Sequence, residues 1–176
     1  GLPEEKKSCD WVSYPRPPVL QERDLALREE ILKGGVRRKL SNERHDHLII
    51  EQCVYLGDMF AFDGWKVKED ERIIISITKQ EQCPSKTIEH VVLESSDPFV
   101  EQDDLWECEG GIKDHLPKIF ALIDKARING IALLLHCQGG TSRSPIPLIA
   151  YLMMACNVTE KQAEGFVASK RSICPN

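Results

Sequence analysis

One short stretch, residues 133–145, limits what this chain can fold into more than any other part of the sequence. It reads LLLHCQGGTSRSP: an apolar run stops at a His-Cys pair, five small or polar residues follow, and an arginine, a serine and a proline come next. The apolar run predicts a buried strand, and Pro145 suits the first turn of a helix. The stretch therefore predicts a strand, a short loop and a helix N-terminus in immediate succession.

The loop in this stretch has the composition of an anion-binding site. Gly139 and Gly140 carry no Cβ, so the backbone can turn sharply and approach an anion closely. The amides of the loop and of the first helical turn have no partners within the helix, and they can donate to one anion. The predicted substrate-binding residues are Gln138, Gly139, Gly140, Thr141, Ser142 and Arg143.

Two reactive side chains flank the loop. Cys137 opens it, where a helix N-terminus favours thiolate over thiol; such surroundings lower a cysteine pKa from about 8.5 to roughly 3.5–7.5. Arg143 closes it with a planar fork of donors that suits two phosphate oxygens. A nucleophile and a phosphate cradle in one loop predict transfer of a phosphoryl group to sulfur. The alternative interpretation is a buried structural cysteine in a glycine-rich turn.

The His-Cys-x5-Arg-Ser arrangement resembles the signature loop of the cysteine-dependent phosphatases, and residues 47–176 are similar to the dual-specificity protein phosphatases. The resemblance implies hydrolysis of phosphotyrosine and phosphoserine/threonine in proteins through a phosphocysteine intermediate, without a metal or other cofactor. It makes Cys137 the nucleophile and Arg143 the residue that holds the phosphoryl oxygens. It also implies that the Ser144 hydroxyl stabilises the cysteine thiolate as it leaves. His136 is expected to orient the loop through hydrogen bonds.

The reaction also needs a general acid on a loop near the cysteine. In the family, a strand reading ile-x-tyr-x-x-ile-x-x-x-x-asp ends at this acid, and Ile88, His90, Leu93 and Asp97 follow that pattern closely. The resemblance therefore assigns the acid to Asp97. Asp104 is the alternative, because its distance along the chain from the cysteine fits the usual spacing better.

The C-terminal end of the chain carries a weaker resemblance. Arg171, Pro175 and Asn176 match the family's arg-x-x-x-pro-asn ending. Arg171 could meet a second phosphate or hold an acidic residue, and we favour the structural role.

Strand-like and helix-like segments alternate through the rest of the chain. Residues 73–77 form a continuous apolar run, typical of a strand buried on both faces. Residues 112–127 have helical spacing, but Pro117 fits poorly inside a helix, so we expect this helix to begin nearer Pro117. Residues 159–162 form a capping box that opens another helix. The alternation predicts an α/β fold with a mainly parallel central sheet flanked by helices, and the resemblance implies the protein-tyrosine-phosphatase-like sandwich.

The N-terminal quarter differs from the rest of the chain. Three prolines between residues 14 and 19 exclude a helix there, whereas residues 21–33 favour a charged helix. We therefore predict an N-terminal arm and helix at residues 1–46 and a dual-specificity phosphatase catalytic domain at residues 47–176. The helix could cover one edge of the domain or recruit a partner.

Composition narrows the function classes. The formal net charge of -5 argues against a generic nucleic-acid binder, and no apolar run approaches the ~18 residues of a membrane-spanning helix. The seven cysteines are odd in number and include no Cys-x-x-Cys pair, which speaks against a zinc site or a secreted disulfide framework. We expect a phosphorylated protein as partner, no metal, no cofactor and a cytoplasmic location, with the nucleus as the alternative. The oligomeric state stays open.

Two alternative functions stay open beside the protein phosphatase. One is the same chemistry on a non-protein phosphate ester, although residues 138–142 include no lysine or arginine to meet additional phosphates. The other is a weakly active phosphopeptide-binding module, against which the intact Cys137 and Arg143 argue.

Overall fold

The computed structural model describes residues 20–35, 44–93, 112–139 and 143–173. Its helices are α1 (Glu22–Lys33), α2 (Met59–Trp65), α3 (Ile112–Asn129), α4 (Pro145–Cys156) and α5 (Glu160–Lys170). Its strands are β1 (Asp46–Ile50), β2 (Val54–Gly57), β3 (Arg72–Ser76), β4 (Ile88–Val92) and β5 (Ala132–His136).

The five strands form one sheet in the order β1-β2-β5-β3-β4. Strands β2, β5, β3 and β4 are parallel, and β1 pairs antiparallel with β2 at one edge. The predicted α/β fold with a mainly parallel sheet is therefore confirmed. The strand that leads to the cysteine is β5, in the middle of the sheet. Because ligands of such sheets bind at the carboxyl ends of the strands, Cys137 leaves the sheet at the expected edge.

The side chains of the central strands are buried on both faces of the sheet. Ile73, Ile75 and Leu133 pack into the larger core cluster together with apolar residues of α1, α3, α4 and α5. The alternate residues Ile74 and Leu134 pack into a second cluster with α2. Successive strand residues point to opposite faces, so a strand covered by helices on both sides must be apolar throughout. This explains the continuous apolar run that predicted β3.

Helix α1 packs against α4 and α5. Its Leu27 and Ile31 lie in the larger core cluster. Its Asp24 accepts a hydrogen bond from buried Arg127 of α3, with 2.6 Å between Oδ1 and Nη1. Of the two roles predicted for this helix, the structure shows that it covers the domain. The division of the chain at residue 47 stays a prediction.

Helix starts follow local rules with one exception. The capping box is confirmed: the Gln162 amide donates to Thr159 Oγ1 over 3.1 Å, and the Thr159 amide donates to Gln162 Oε1 over 2.9 Å. Pro145 lies at the start of α4, as predicted. The expected start of α3 near Pro117 is wrong, because α3 begins at Ile112. Burial of Ile112 and Leu116 in the core outweighs the cost of a proline near the start of the helix.

Helix α2 was missed by the sequence pattern. Asp58 caps it by accepting hydrogen bonds from the Phe60 and Ala61 amides, both over 3.0 Å. Gly57 lets it lie close to the sheet, because a Cβ there would stand 2.8 Å from Ala61 Cβ and 2.9 Å from the His45 carbonyl oxygen. In the described part of the chain, no helix is both long and apolar enough to cross a membrane.

Candidate active site

The parallel register of the sheet brings three strand ends to one level. His136, the last residue of β5, pairs with Gly57 of β2 on one side and with Ser76 of β3 on the other. Cys137 follows immediately and is only 2% exposed. The cysteine therefore emerges at the centre of the carboxyl edge, between the start of α2 and the start of α4.

Cys137 and Ser144 lie in contact. Their Sγ and Oγ atoms are 3.3 Å apart, and Ser144 is fully buried immediately before α4. A hydroxyl at this distance can donate a hydrogen bond to a thiolate, and the start of a helix adds positive potential. The structure thus brings together the two predicted residues that share the charge on sulfur.

The described ends of the loop are held by backbone contacts. The Met59 amide, at the start of α2, donates to the Gln138 carbonyl over 3.2 Å. Arg143 lies in the turn before α4, half-buried, and its carbonyl accepts from the Ile146 amide over 3.3 Å. Gly140, Thr141 and Ser142 lie outside the described residues, and so do Asp97 and Asp104. The assignment of the general acid and of those three loop residues stays a prediction.

Arg171 supports the loop from below. It is 1% exposed, and its guanidinium donates to the Gly139 carbonyl over 3.4 Å, to the His45 carbonyl over 3.4 Å and to His47 Nδ1 over 2.8 Å. Burial and the Arg171 charge lower the pKa of His47, so its ring is neutral and accepts this bond. These contacts give Arg171 the structural role that the sequence analysis favoured.

His136 is buried beside the nucleophile and cannot work as a cation near neutral pH. Burial lowers its pKa to about 4. Its Nε2 lies 2.6 Å from Ser76 Oγ, and its Nδ1 lies 3.3 Å from the Cys137 carbonyl oxygen. Its ring stacks on Phe62 with 5.0 Å between centroids. The hydrogen bond to the Cys137 carbonyl agrees with the predicted orienting role.

The sequence analysis missed Ser76, Asp58 and His47. Ser76 is a polar residue at the end of an apolar run, at the same edge as the cysteine, and that position was the available signal. Asp58 follows the glycine that ends β2 and caps α2, a pattern readable as Asp before a helix. For His47, nothing in the local pattern points to Arg171, because the two residues are distant in the sequence.

The family model of the dual specificity phosphatase catalytic domain matches residues 54–176, a range that contains the whole of this site. The chain belongs to this family. The putative tyrosine phosphatase 123R of Invertebrate iridescent virus 6 is 44% identical over 59 residues, which cover 34% of this chain and 42% of that protein. The human dual specificity protein phosphatase 7 is 38% identical over 66 residues, or 37% of this chain and 16% of that protein. The matched stretches thus span less than half the length of these relatives.

Among solved structures, the dual-specificity phosphatase catalytic domain has a close counterpart in fold. Human DUSP28 superposes with a TM-score of 0.58 over 76% of this chain and 86% of that chain, at 22% sequence identity. This likeness shows that the two chains share the fold, a phosphatase-like sheet flanked by helices.

Proposed function

We propose that this protein is a cysteine-dependent phosphatase that hydrolyses phosphotyrosine and phosphoserine/threonine in proteins. The observation that carries the proposal is the pairing of Cys137 Sγ with Ser144 Oγ, 3.3 Å apart, in the loop that joins β5 to α4. Membership of the dual-specificity phosphatase family supports the same chemistry. Phosphorylated proteins are the substrate class that this family implies.

The first step transfers the phosphoryl group to sulfur. Cys137 Sγ attacks phosphorus in line, so a P–S bond forms while the bond from phosphorus to the leaving oxygen breaks. Arg143 and the loop amides hold the equatorial oxygens, on which negative charge is concentrated in the transition state. Asp97, the residue assigned as general acid, gives its proton to the leaving oxygen.

The second step releases phosphate. A water molecule attacks the phosphocysteine, a new P–O bond forms and the P–S bond breaks. The Asp97 carboxylate accepts the proton of this water. The electron pair returns to sulfur, and the Ser144 hydroxyl donates a hydrogen bond to the departing thiolate.

The other buried thiols near the core do not compete with Cys137. Burial raises the pKa of Cys156 to about 12 and also raises the pKa of Cys53, so both remain protonated and inert. The four described cysteines are all free. We propose a cytoplasmic or nuclear location, because the nucleophilic thiol must stay reduced.

The test compares the wild type with Cys137→Ser on an activated aryl phosphate and on a phosphotyrosine peptide. We expect the serine variant to lose turnover on both substrates and to keep its affinity for the peptide, since serine fills the loop without forming a thiolate. Cys53→Ser is the matched control, because it makes the same change at a buried thiol far from the loop. It should retain activity.

Three results would contradict the proposal. Turnover by Cys137→Ser near the wild-type rate would exclude a covalent mechanism through this cysteine. A wild type that binds the phosphopeptide but never hydrolyses it would favour the phosphopeptide-binding module. A wild type that cleaves only small, non-protein phosphate esters would favour the other alternative substrate class.

A further inference from the structure

A chain of hydrogen bonds runs behind the nucleophile and is used by no step of the mechanism above. It joins the Cys83 amide, His90, Ser76, His136 and the Cys137 carbonyl, and we name these groups the histidine relay. The distances along it are 2.8 Å from Cys83 N to His90 Nδ1, 2.8 Å from His90 Nε2 to Ser76 Oγ and 2.6 Å from Ser76 Oγ to His136 Nε2. The last contact, from His136 Nδ1 to the Cys137 carbonyl oxygen, measures 3.3 Å.

The direction of each hydrogen bond follows from the first donor. A backbone amide can only donate, so His90 Nδ1 accepts from Cys83 and carries no proton. Burial lowers the pKa of His90, so its ring is neutral near pH 7. The single ring proton therefore lies on Nε2, and His90 donates to Ser76 Oγ.

The serine hydroxyl passes this direction to the second histidine. Ser76 has one proton and, having accepted from His90, directs that proton to His136 Nε2. This nitrogen must then be an acceptor, and the neutral ring of His136 carries its proton on Nδ1. That nitrogen faces the carbonyl oxygen of Cys137, and the contact is a donor meeting an acceptor.

The other tautomer of His136 would place a lone pair against the Cys137 carbonyl. Two acceptors would then face each other at the residue that carries the nucleophile, and the start of the loop would have to move. Small displacements of a reacting group cost rate steeply. Phe62 stacks against His136 and His90, with 5.0 Å and 5.1 Å between ring centroids, and so limits the movement of both rings.

We propose that Ser76 and His90 are positioning residues of this active site, which select the Nδ1–H tautomer of His136 and thereby hold the Cys137 carbonyl and aim its sulfur. The inference rests on the proposed function, since it gives the relay a purpose only if Cys137 is the nucleophile. It assigns no proton transfer to the relay: the protons stay on His90 Nε2, Ser76 Oγ and His136 Nδ1 throughout the reaction.

The first measurement reads the tautomer directly. Nuclear magnetic resonance of ¹⁵N-labelled histidine distinguishes a protonated Nδ1 from a protonated Nε2. We expect His136 of the wild type to be protonated on Nδ1 and His136 of Ser76→Ala to be at least partly protonated on Nε2. A wild-type His136 protonated on Nε2 would overturn the proposal.

The second measurement reads the nucleophile without any substrate. The rate at which iodoacetamide alkylates Cys137, followed by mass spectrometry of the peptide that contains it, rises with pH as the thiolate forms. We expect the midpoint of this rise to move upward by about one pH unit in Ser76→Ala and His90→Phe, equivalent to about a tenfold loss of thiolate at a fixed pH below the midpoint. The aryl phosphatase kcat should fall about tenfold, while KM changes less than twofold.

Conservative variants separate the hydrogen bonds from packing. Ser76→Thr keeps the hydroxyl and His90→Gln keeps a donor for Ser76, so both should recover most of the lost kcat and return the midpoint toward that of the wild type. The charged and titratable groups facing His136 are His90, Asp58, Asp63 and Cys137 itself. Ser76→Ala and Ser76→Thr retain all four, so a difference between these two variants reports the hydroxyl alone.

Thr159→Ala is the control for stability, since it removes a hydroxyl that caps α5 away from the relay. We expect it to lower the melting temperature without moving the alkylation midpoint. The proposal is wrong if Ser76→Ala behaves in the same way, with a lower melting temperature but an unchanged midpoint, kcat and His136 tautomer. A wild type with the expected tautomer and midpoint but without phosphatase activity would contradict the proposed function alone.

Discussion

At the scale of single residues, the surroundings of a cysteine decide its reactivity, and burial alone does not. Cys137, Cys53 and Cys156 are all buried. Desolvation raises the pKa of Cys53 and Cys156, because burial disfavours the charged form. Cys137 differs in having the Ser144 hydroxyl at 3.3 Å and the start of α4 beside it. Groups that stabilise a thiolate surround only this one of the three thiols.

The first prediction at this scale concerns the proton donor. We expect Asp97→Asn to slow the hydrolysis of phosphoserine and phosphotyrosine peptides by about 10²–10⁴-fold, the usual cost of losing a general acid. An aryl phosphate with a very acidic phenol should be affected far less, because its leaving group departs without protonation. The variant should also flatten the alkaline limb of the pH–rate profile, which reports the loss of the acid's proton.

Asp104→Asn is the matched control for that experiment, and it should show neither effect. If the two variants exchange behaviours, Asp104 is the general acid. If neither variant shows a dependence on the leaving group, the chain has no dedicated acid and the phosphopeptide-binding alternative gains support.

At the scale of elements, one buried guanidinium joins α1 to the catalytic domain. Arg127 of α3 donates to Asp24 over 2.6 Å, to Glu51 over 2.9 Å and to the Tyr151 hydroxyl over 2.9 Å. Burial alone would lower the pKa of Arg127, but its interactions with Tyr151, Glu51 and Asp24 raise it, so the group stays charged. The N-terminal helix is therefore attached by a desolvated ion pair as well as by apolar packing.

We expect Asp24→Asn to lower the free energy of unfolding by about 3 kcal/mol, because removing one member of a buried ion pair leaves the other charge buried and only partly compensated. Urea denaturation measures this loss. Glu89→Gln is the matched control, since it makes the same change in the exposed 2.8 Å pair with Lys125, where water screens the interaction. Its effect should be much smaller. Equal losses in the two variants would contradict the proposed attachment of α1.

At the scale of the whole molecule, neutral buried histidines couple folding to pH. The pKa of His136 is lowered to about 4, and burial also lowers the pKa of His47 and His90. In the unfolded chain these groups bind protons below about pH 6.5. The folded protein binds them only at lower pH, so the unfolded state takes up more protons and the folded state loses stability as the solution is acidified.

We therefore expect the free energy of unfolding to fall between pH 7 and pH 5, by about 2 kcal/mol from His136 alone. Urea denaturation at several pH values in this range measures the slope. His90→Gln should reduce the slope by removing one of the three contributing groups. A stability that stays constant from pH 7 to pH 5 would show that these rings are not held neutral in the folded protein.

Contiguous residues determined the features that the sequence alone could predict. The strand β5, the loop and the start of α4 are neighbours in the chain, so their composition specifies strand, turn and helix directly. The capping box at Thr159 depends on residues three apart. The apolar run of β3 shows burial on both faces, because alternate residues of a strand face opposite sides of the sheet. These local patterns were enough to predict the fold class and the nucleophile.

Tertiary structure alone decided which distant residues meet. Ser76 and His136 are 60 residues apart and touch because β3 pairs with β5, a pairing that sequence patterns do not specify. Arg171 reaches Gly139 only after α5 has packed against the domain. The early start of α3 has the same origin, since core burial of Ile112 overrode the local preference imposed by Pro117. Local sequence sets backbone preference within a few residues, whereas the order of strands and the packing of helices select the long-range contacts.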